Sequence, residues 1–165
     1  TDAPTPEIIL TRRASHMNSH AGEVAFPGGK RESLDPSVFA TALRESHEEI
    51  GLDPHRVELL GGLDTFTSRV GLRVQPFVGV VASEVALTAN PDEIESIFRV
   101  PVEFFLTEKP SYTHKFRFMG QEVVVPSFNY DDYVIWGLTG YMIVEFMRQV
   151  YDADIEWRWP NPLKK

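Results

Sequence analysis

The segment that most restricts how this chain can fold runs from Asp35 to Gly51. Asp35 is suited to cap the N-terminus of a helix with Pro36 at its first position, and Gly51 is suited to end that helix after about Ile50. At about 100° per residue, one stripe of this helix is predicted to pack on a sheet. That stripe holds Phe39, Ala42, Leu43, Ser46 and Ile50. The segment therefore predicts an amphipathic helix with a β-sheet beside it.

Strand-like segments lie on both sides of this helix. Two short strands are predicted over residues 7–13 and 23–26, and residues 27–36 form a loop by their Pro, Gly and Ser content. A second amphipathic helix is predicted over residues 138–153. Between the two helices, further strands are predicted within 57–68, 72–82, 95–105 (ending in a helical turn), 111–128 (a hairpin turning at Met119-Gly120) and 133–137. This order favours an α/β sandwich with a mixed β-sheet over a parallel βαβ repeat.

Length and composition favour a single globular domain over residues 1–165. The chain has 165 residues, with no internal repeat and no low-complexity linker. It contains no cysteine, which excludes disulfides, thiolate metal sites and a cysteine nucleophile and fits a reducing compartment. No apolar run approaches the roughly 18 residues that a membrane span needs, so we expect no membrane partner and a cytoplasmic location.

The charge of the chain bears on the kind of partner it binds. The net charge is −8 at pH 7, and no basic run is long enough for a nucleic-acid-binding arm. We therefore expect no nucleic acid as a partner. A small anionic substrate is compatible with this charge if bound cations mediate its binding. The sequence does not fix the oligomeric state and leaves a homodimer open.

Three glutamates, Glu45, Glu48 and Glu49, lie near the C-terminal end of the first predicted helix. A helix C-terminus carries partial negative charge, and glutamates four residues apart repel one another, so carboxylates are disfavoured there. One explanation is a solvated charged face in which Arg44 pairs with Glu48 one turn on. The other is a bound divalent cation, because Mg²⁺ and Mn²⁺ prefer carboxylate oxygens. Spacing alone leaves both explanations open.

A glycine pair, Gly28-Gly29, stands where the second predicted strand breaks into the loop before the helix. Glycine permits close backbone approach to a ligand, and its N–H groups can face phosphate oxygens. Together with the helix, this turn resembles the box of the Nudix hydrolases. Six helix positions stand in its register: Arg44, Glu45, Glu48, Glu49, Gly51 and Leu52. The resemblance implies a Nudix-type α/β/α sandwich with a catalytic loop-helix-loop at residues 27–52.

The sequence departs from the family box at three places. The stretch from Gly29 to Arg44 is one residue longer than the box, and the loop glutamate of the box is missing. The candidate substitutes for that glutamate are Glu32 and Asp35. Ser46 takes an aliphatic position on the packing stripe, so this third change concerns packing.

Upstream of the box, residues 9–29 resemble the coenzyme A pyrophosphatase group within the Nudix hydrolases. Nine positions stand in register: Leu10, Thr11, Arg13, Ala14, Gly22, Phe26, Pro27, Gly28 and Gly29. The segment 135–140, IWGLTG, is also similar to that group. Asn18 replaces a second arginine, which would suit phosphate binding. The candidates to compensate for it are Arg12, His16, His20 and Lys30.

The resemblance implies a Mg²⁺- or Mn²⁺-dependent enzyme that cleaves the diphosphate of coenzyme A and its derivatives to adenosine 3′,5′-bisphosphate and 4′-phosphopantetheine. The implied metal ligands are Glu45, Glu49 and Glu48, the last of these as third ligand or as general base. The implied catalytic residues are Arg44, Glu45 and Glu48, with Arg44 orienting the carboxylates. The implied substrate-binding residues are Arg13, Gly28, Gly29 and Lys30.

Two alternatives to this interpretation concern the substrate and the class of protein. The substrate could be another nucleoside diphosphate derivative, such as ADP-ribose or NADH, and a non-catalytic nucleotide-binding Nudix domain is a third option. Nudix proteins often place another acidic residue before a segment such as 97–105. Glu93 or Glu95 would then add a metal ligand or a base. The alternative is that both glutamates lie in a solvated loop. Tyr130, Tyr133 and Trp136 would stack an adenine or belong to the core.

Overall fold

A computed structural model describes residues 1–68, 71–118 and 120–155. Met119 of the predicted hairpin turn lies outside these described residues, which form ten β-strands, three α-helices and one 3-10 turn. The strands are β1 (Glu7–Arg13), β2 (Val24–Ala25), β3 (Glu58–Gly62), β4 (Phe66–Thr67), β5 (Arg73–Val74), β6 (Phe77–Val80), β7 (Ile94–Pro101), β8 (Ser111–Phe118), β9 (Gln121–Tyr130) and β10 (Tyr133–Trp136). The helices are α1 (Val38–Ile50), α2 (Val102–Thr107) and α3 (Gly137–Tyr151), and the 3-10 turn is Pro54–Arg56.

Most of the predicted elements are confirmed. β1 has the predicted bounds, β7 runs into α2 as expected, and β8 and β9 pair as an antiparallel hairpin. The predicted strands 57–68 and 72–82 are each divided into two short strands. Pro76 separates β5 from β6, because proline has no N–H to donate to a neighbouring strand.

The start of α1 differs from the prediction. The N-cap is Ser37, not Asp35: its backbone is extended at φ −153°, and its hydroxyl accepts a hydrogen bond from the N–H of Ala40 at 3.0 Å. The helix ends as predicted at Gly51, which has the left-handed φ of 66° and donates its N–H to the carbonyl of His47. Asp35 is thereby free of the capping role and points its carboxylate elsewhere.

The buried side of α1 is more polar than the predicted stripe. Of the stripe residues only Ile50 is fully buried, and the other four are half-buried. Thr41 and Glu49 are buried in their place. A helix that buries a hydroxyl and a carboxylate needs polar partners for both, because an unpartnered buried polar group costs stability. These partners belong to the candidate site.

The first of two compact units comprises Thr1–Gly61 and Phe77–Phe104. Its three-stranded sheet has the order β2-β1-β7 with β1 antiparallel to both neighbours, and β3 pairs with β6. A buried cluster of Ile50, Leu52, Val81 and Val85 follows the end of α1. The segment after it returns to the helix end, where the N–H of Asn90 donates to the carbonyl of Glu49 at 2.9 Å. This connection fixes the C-terminal turn of α1.

The second unit comprises Gly62–Pro76 and Phe105–Lys165. In its described residues, a sheet of order β10-β9-β8 carries α3, which packs against β9 and β10, and β4 pairs with β5. Its fully buried side chains include Val125, Ile135, Ile143, Val144 and Met147. That the whole chain forms one domain remains a prediction. Among the described residues, none of the helices is long and apolar enough to cross a membrane.

Candidate active site

Three segments that are distant in sequence meet at Glu49. The N–H of Gly28, in the turn after β2, donates to Glu49 Oε2 at 3.0 Å. Arg13, at the end of β1, donates from Nη1 to Glu49 Oε1 at 3.4 Å. Glu49 itself is only 3% exposed. The carboxylate is thus held inside the protein between the glycine turn and β1.

The environment of Glu49 does not fully compensate its negative charge. Burial raises the pKa of Glu49 to about 7, against the lowering effect of the Gly28 hydrogen bond and the Arg13 charge. The nearby negative charges of Glu93 and Glu45 add to the rise. A carboxylate in this condition gains from any cation that reaches it. Such burial also argues against a solvated charged face at this residue.

Glu45, one turn earlier in α1, has a related environment. Its side chain is 18% exposed, and Arg44 Nη2 pairs with its Oε1 at 3.0 Å. Burial nevertheless raises the pKa of Glu45, and the negative charges of Glu48 and Glu93 act in the same direction. At both Glu45 and Glu49, burial therefore outweighs the positive charge of the neighbouring arginine and raises the pKa of the carboxyl group.

Arg44 connects the helix to the loop that precedes it. Its guanidinium forms a fork on Asp35, from Nε to Oδ1 at 3.0 Å and from Nη2 to Oδ2 at 3.1 Å. It also pairs with Glu48 from Nη1 at 3.0 Å and donates from Nη2 to the carbonyl of Lys30 at 3.1 Å. One cation thereby sets the positions of Asp35, Glu45 and Glu48 together.

Asp35 is the best-partnered carboxylate of the region. It is 7% exposed and accepts hydrogen bonds from the N–H of Glu32 and the hydroxyl of Thr41, both at 2.9 Å, in addition to the Arg44 fork. The hydrogen bonds from Arg44, above all, hold the pKa of Asp35 well below its usual range. Of the two candidate substitutes for the loop glutamate, Asp35 is thus bound to Arg44, whereas Glu32 is exposed.

Thr41 was not among the sequence candidates. No local sequence pattern identifies Thr41, because a threonine early in a helix is common. Its role depends on a hydrogen bond to Asp35, which only the structure shows. Its hydroxyl donates to Asp35 and also lies 3.2 Å from the carbonyl of Ser37. The single turn of helix between Ser37 and Thr41 brings it over the loop.

The chemistry of two of the three helix glutamates fits a divalent cation. Glu45 and Glu49 offer hard oxygen ligands, and each has a pKa raised by burial, a condition that a bound cation would relieve. Glu48 is different, because its side chain is 51% exposed and already paired with Arg44. Within the described residues, no group of three or more His, Asp or Glu side chains has an arrangement that could hold a metal ion.

The remaining candidate residues divide into those near this centre and those engaged elsewhere. Glu93 acts electrostatically on both Glu45 and Glu49, whereas Glu95 pairs with Arg12 at 3.7 Å. Lys30 is exposed on the loop, and so is Asn18 upstream. The structure thus distinguishes the two acidic candidates, and it is Glu93 that belongs to the neighbourhood of the site.

The histidine candidates have partners of their own, and the aromatic candidates belong to the second unit. His16 lies 3.0 Å from the carbonyl of Asp92 through Nε2, and His20 pairs with Glu23 at 2.7 Å. The three aromatic candidates of the second unit are half-buried and belong to β9 and β10: Tyr130, Tyr133 and Trp136.

Comparison with known proteins identifies relatives over most of the chain. Residues 2–121 match the NUDIX domain. The chain is 41% identical over 150 residues to "Nudix hydrolase 22, chloroplastic" of Arabidopsis thaliana, covering 87% of this chain and 50% of that protein. It is 37% identical over 151 residues to "Nudix hydrolase 15, mitochondrial" of the same species, covering 88% and 53%.

A bacterial relative is matched over more of its length. The chain is 39% identical over 147 residues to "Uncharacterized Nudix hydrolase NudL" of Photorhabdus laumondii subsp. laumondii, covering 89% of this chain and 79% of that protein. By contrast, the chain spans about half the length of the two Arabidopsis relatives. The domain match and the bacterial relative agree with the box in the loop and α1, and with the helices and strands of the structure. The chain therefore belongs to the Nudix family and has the Nudix fold.

Proposed function

We propose that this chain is a divalent-metal-dependent pyrophosphohydrolase that cleaves the diphosphate of coenzyme A and its derivatives. The products would be adenosine 3′,5′-bisphosphate and 4′-phosphopantetheine. One observation carries the proposal: Arg13, from the upstream motif, and Glu49, from the Nudix box, are 36 residues apart in sequence and form an ion pair at 3.4 Å. The motif that suggests the substrate and the motif that suggests the chemistry therefore share one location.

The proposed chemistry explains why carboxylates lie at an unfavourable helix end. A bound Mg²⁺ or Mn²⁺ would neutralise the phosphate oxygens and lower the pKa of the attacking water. Glu45 and Glu49 are the residues that would hold the cation, and the more exposed Glu48 would be the base that takes the proton of water. Arg44 would orient Glu45 and Glu48 through the two ion pairs described above.

On the substrate side, Arg13 is the central residue of the proposal. Its Nε is buried and has no hydrogen-bond partner, and its only acidic partner in the described residues is Glu49. The terminal nitrogens of this guanidinium would bind a phosphate oxygen well, because such hydrogen bonds are charge-assisted. The Gly28-Gly29 turn and exposed Lys30 lie on the same loop and would approach the diphosphate, and Glu93 would add an acidic ligand or base.

Location and assembly follow as secondary proposals. The lack of cysteine fits a reducing compartment, so we propose a cytoplasmic protein that acts on a small molecule without nucleic acid or membrane. A homodimer also remains a prediction, which the molar mass in solution would test. None of these points affects the proposed chemistry.

Product analysis with a panel of substrates tests the proposal directly. The protein would be incubated with Mg²⁺ and, in turn, coenzyme A, 3′-dephospho-coenzyme A, ADP-ribose, NADH and dinucleoside polyphosphates. We expect the highest kcat/KM for coenzyme A, with the dephospho form between it and ADP-ribose. Equal turnover of ADP-ribose would contradict the assignment of coenzyme A. Binding without any turnover would instead indicate a nucleotide-binding domain.

A further inference from the structure

We infer that Gly29 is a positioning residue, whose missing side chain sets the place of the Glu45 carboxylate. A Cβ built at Gly29 would lie 2.6 Å from Glu45 Oε1, and closer still to Oε2 and to the carboxyl carbon. A Cβ atom in a folded protein does not approach a non-bonded oxygen so closely. The side chain of Glu45 therefore occupies the volume that any other residue at position 29 would fill.

The two glycines of the turn have different reasons to be glycine. Gly28 has a φ of +150°, which L side chains rarely adopt, but a Cβ there would meet nothing within 4 Å. Gly29 does not have a positive φ, so its backbone would accept alanine. Gly28 is thus required by the backbone, and Gly29 by the space that Glu45 uses. The family resemblance pointed to phosphate contact for both, which does not explain this difference.

The position of Glu45 is defined from two directions. Arg44 Nη2 holds its Oε1 at 3.0 Å, and the backbone of Gly29 lies against the same carboxyl group. Because that carboxyl group is the end of a flexible side chain, a methyl group at position 29 would displace it and leave the backbone in place. The expected defect of Gly29→Ala is therefore a moved carboxylate in a folded protein.

A metal-free stability cycle tests this geometry without reference to function. Thermal melts would compare the wild type, Gly29→Ala, Glu45→Ala and the double variant. We expect the change in Tm caused by Gly29→Ala to be more negative by about 2 °C or more in the wild type than in the Glu45→Ala background, where the space is already open. The same change in both backgrounds would overturn the inference.

Mn²⁺ binding measures the consequence for the site, and this second readout rests on the proposed function. Binding would be measured by titration with MnCl₂ in the absence of substrate. We expect Gly29→Ala to weaken Mn²⁺ binding about tenfold or more, as Glu45→Ala does, and the double variant to weaken it no further. Gly61→Ala is the matched control, since a Cβ at Gly61 would meet nothing within 4 Å and its φ is ordinary. We expect it to bind Mn²⁺ like the wild type.

The two readouts separate the inference from the proposed function. If Glu45→Ala leaves Mn²⁺ binding unchanged, the assignment of Glu45 as a ligand is wrong, and the stability cycle alone decides the role of Gly29. If Glu45→Ala weakens Mn²⁺ binding while Gly29→Ala does not, the positioning role of Gly29 is overturned. Equal and non-additive losses support both.

Discussion

Asp35 and Glu49 are buried to nearly the same extent, yet their surroundings act on them in opposite directions. Asp35 is 7% exposed and Glu49 is 3% exposed. The hydrogen bonds from Arg44 hold the pKa of Asp35 well below its usual range, whereas burial raises the pKa of Glu49 to about 7. At Asp35 the donors outweigh the effect of burial, whereas at Glu49 burial outweighs the donors, so exposure alone does not decide the pKa of either carboxyl group.

The difference assigns different tasks to the two carboxylates. Asp35 receives a guanidinium fork, a hydroxyl and a backbone N–H, so the chain itself completes its interactions. Glu49 receives one backbone N–H and a longer contact from Arg13. Asp35 is part of the framework that fixes the loop on α1, and Glu49 retains capacity for an external cation. Predictions that alter one carboxylate and spare the other test this distinction.

The largest effect is expected from Glu49→Gln on turnover. This change keeps the shape of the side chain and the acceptor for Gly28 but removes the charge. If Glu49 holds the cation, turnover of coenzyme A should fall at least about 100-fold. At about a hundredfold excess over Kd, Mg²⁺ should raise the Tm of the wild type by about 5–10 °C, because it binds only the folded state, and the variant should lose most of that rise.

A matched control for this experiment is Glu58→Gln, an exposed glutamate on β3. It removes the same charge outside the site, so both turnover and the Mg²⁺-dependent rise in Tm should remain at wild-type level. A Glu49→Gln protein that stays active and still responds to Mg²⁺ would show that the carboxylate serves only its ion pair with Arg13. Chromatographic product assays and thermal melts provide the two measurements.

The second effect is on the pH dependence of folding without metal. Glu49 has a folded pKa of about 7, above its usual 4.5, so the folded state binds more protons between these values. Stability should therefore fall as pH rises through this window, by about 3 kcal/mol in total. Glu49→Gln lacks this loss and should be more stable than the wild type at about pH 8, with the difference vanishing near pH 4.

Urea unfolding at a series of pH values in the presence of a chelator measures this difference. The raised pKa of Glu45 gives a slope of the same sign in both proteins. Asp35 has the opposite sign: its contribution is present above its usual pKa of 3.8 and is lost as pH falls toward its lowered value. If the Glu49→Gln protein is less stable than the wild type near pH 8, the claim that burial outweighs the positive charge around Glu49 is wrong.

Local sequence signals predicted the elements of this fold well. The bounds of β1, the end of α1 at Gly51 and the hairpin of β8 and β9 follow from alternation, glycine and turn chemistry within a few residues. The role of Arg44 toward Glu48 follows from helical spacing. These features depend on residues that are close in sequence, so a local sequence pattern is sufficient to predict them.

Contacts between distant segments were beyond the same reasoning. The N-cap fell on Ser37 because the carboxylate of Asp35 is engaged by Thr41 and Arg44, and no local pattern records that competition. The polar buried face of α1 has the same origin. The sequence marked Glu49 only as one of three acidic positions, and its burial depends on Gly28 and Arg13, which lie 21 and 36 residues away.

The third prediction concerns Arg13→Ala, a substitution that removes one of the two partners of Glu49. If Arg13 binds a phosphate, its loss should cost about 1.5–3 kcal/mol and raise the KM for coenzyme A about tenfold or more at saturating Mg²⁺. Arg148→Ala, on the exposed side of α3, is the control and should leave KM unchanged. An unaltered KM in Arg13→Ala would place the residue in structure alone.

The smallest effect is expected from Thr41→Val, which removes one donor from Asp35 and leaves the Arg44 fork and the N–H of Glu32. We expect the Tm near neutral pH to fall by about 2–4 °C, the loss of one hydrogen bond to a charged acceptor in a well-partnered group. Because that bond is made to the ionised carboxylate, its contribution exists only above the pH at which folded Asp35 takes up a proton. The Tm difference from the wild type should therefore persist below pH 3.8 and shrink only as pH approaches the lowered pKa of folded Asp35.

Ser46→Ala provides the comparison for Thr41→Val within the same helix. The hydroxyl of Ser46 donates at 2.7 Å to the carbonyl of Ala42, which does not titrate, so any change in Tm should be independent of pH. If the effect of Thr41→Val is equally independent of pH, the hydroxyl does not support the charge of Asp35. The contrast with Glu49 would then rest on Arg44 and the N–H of Glu32, without a contribution from Thr41.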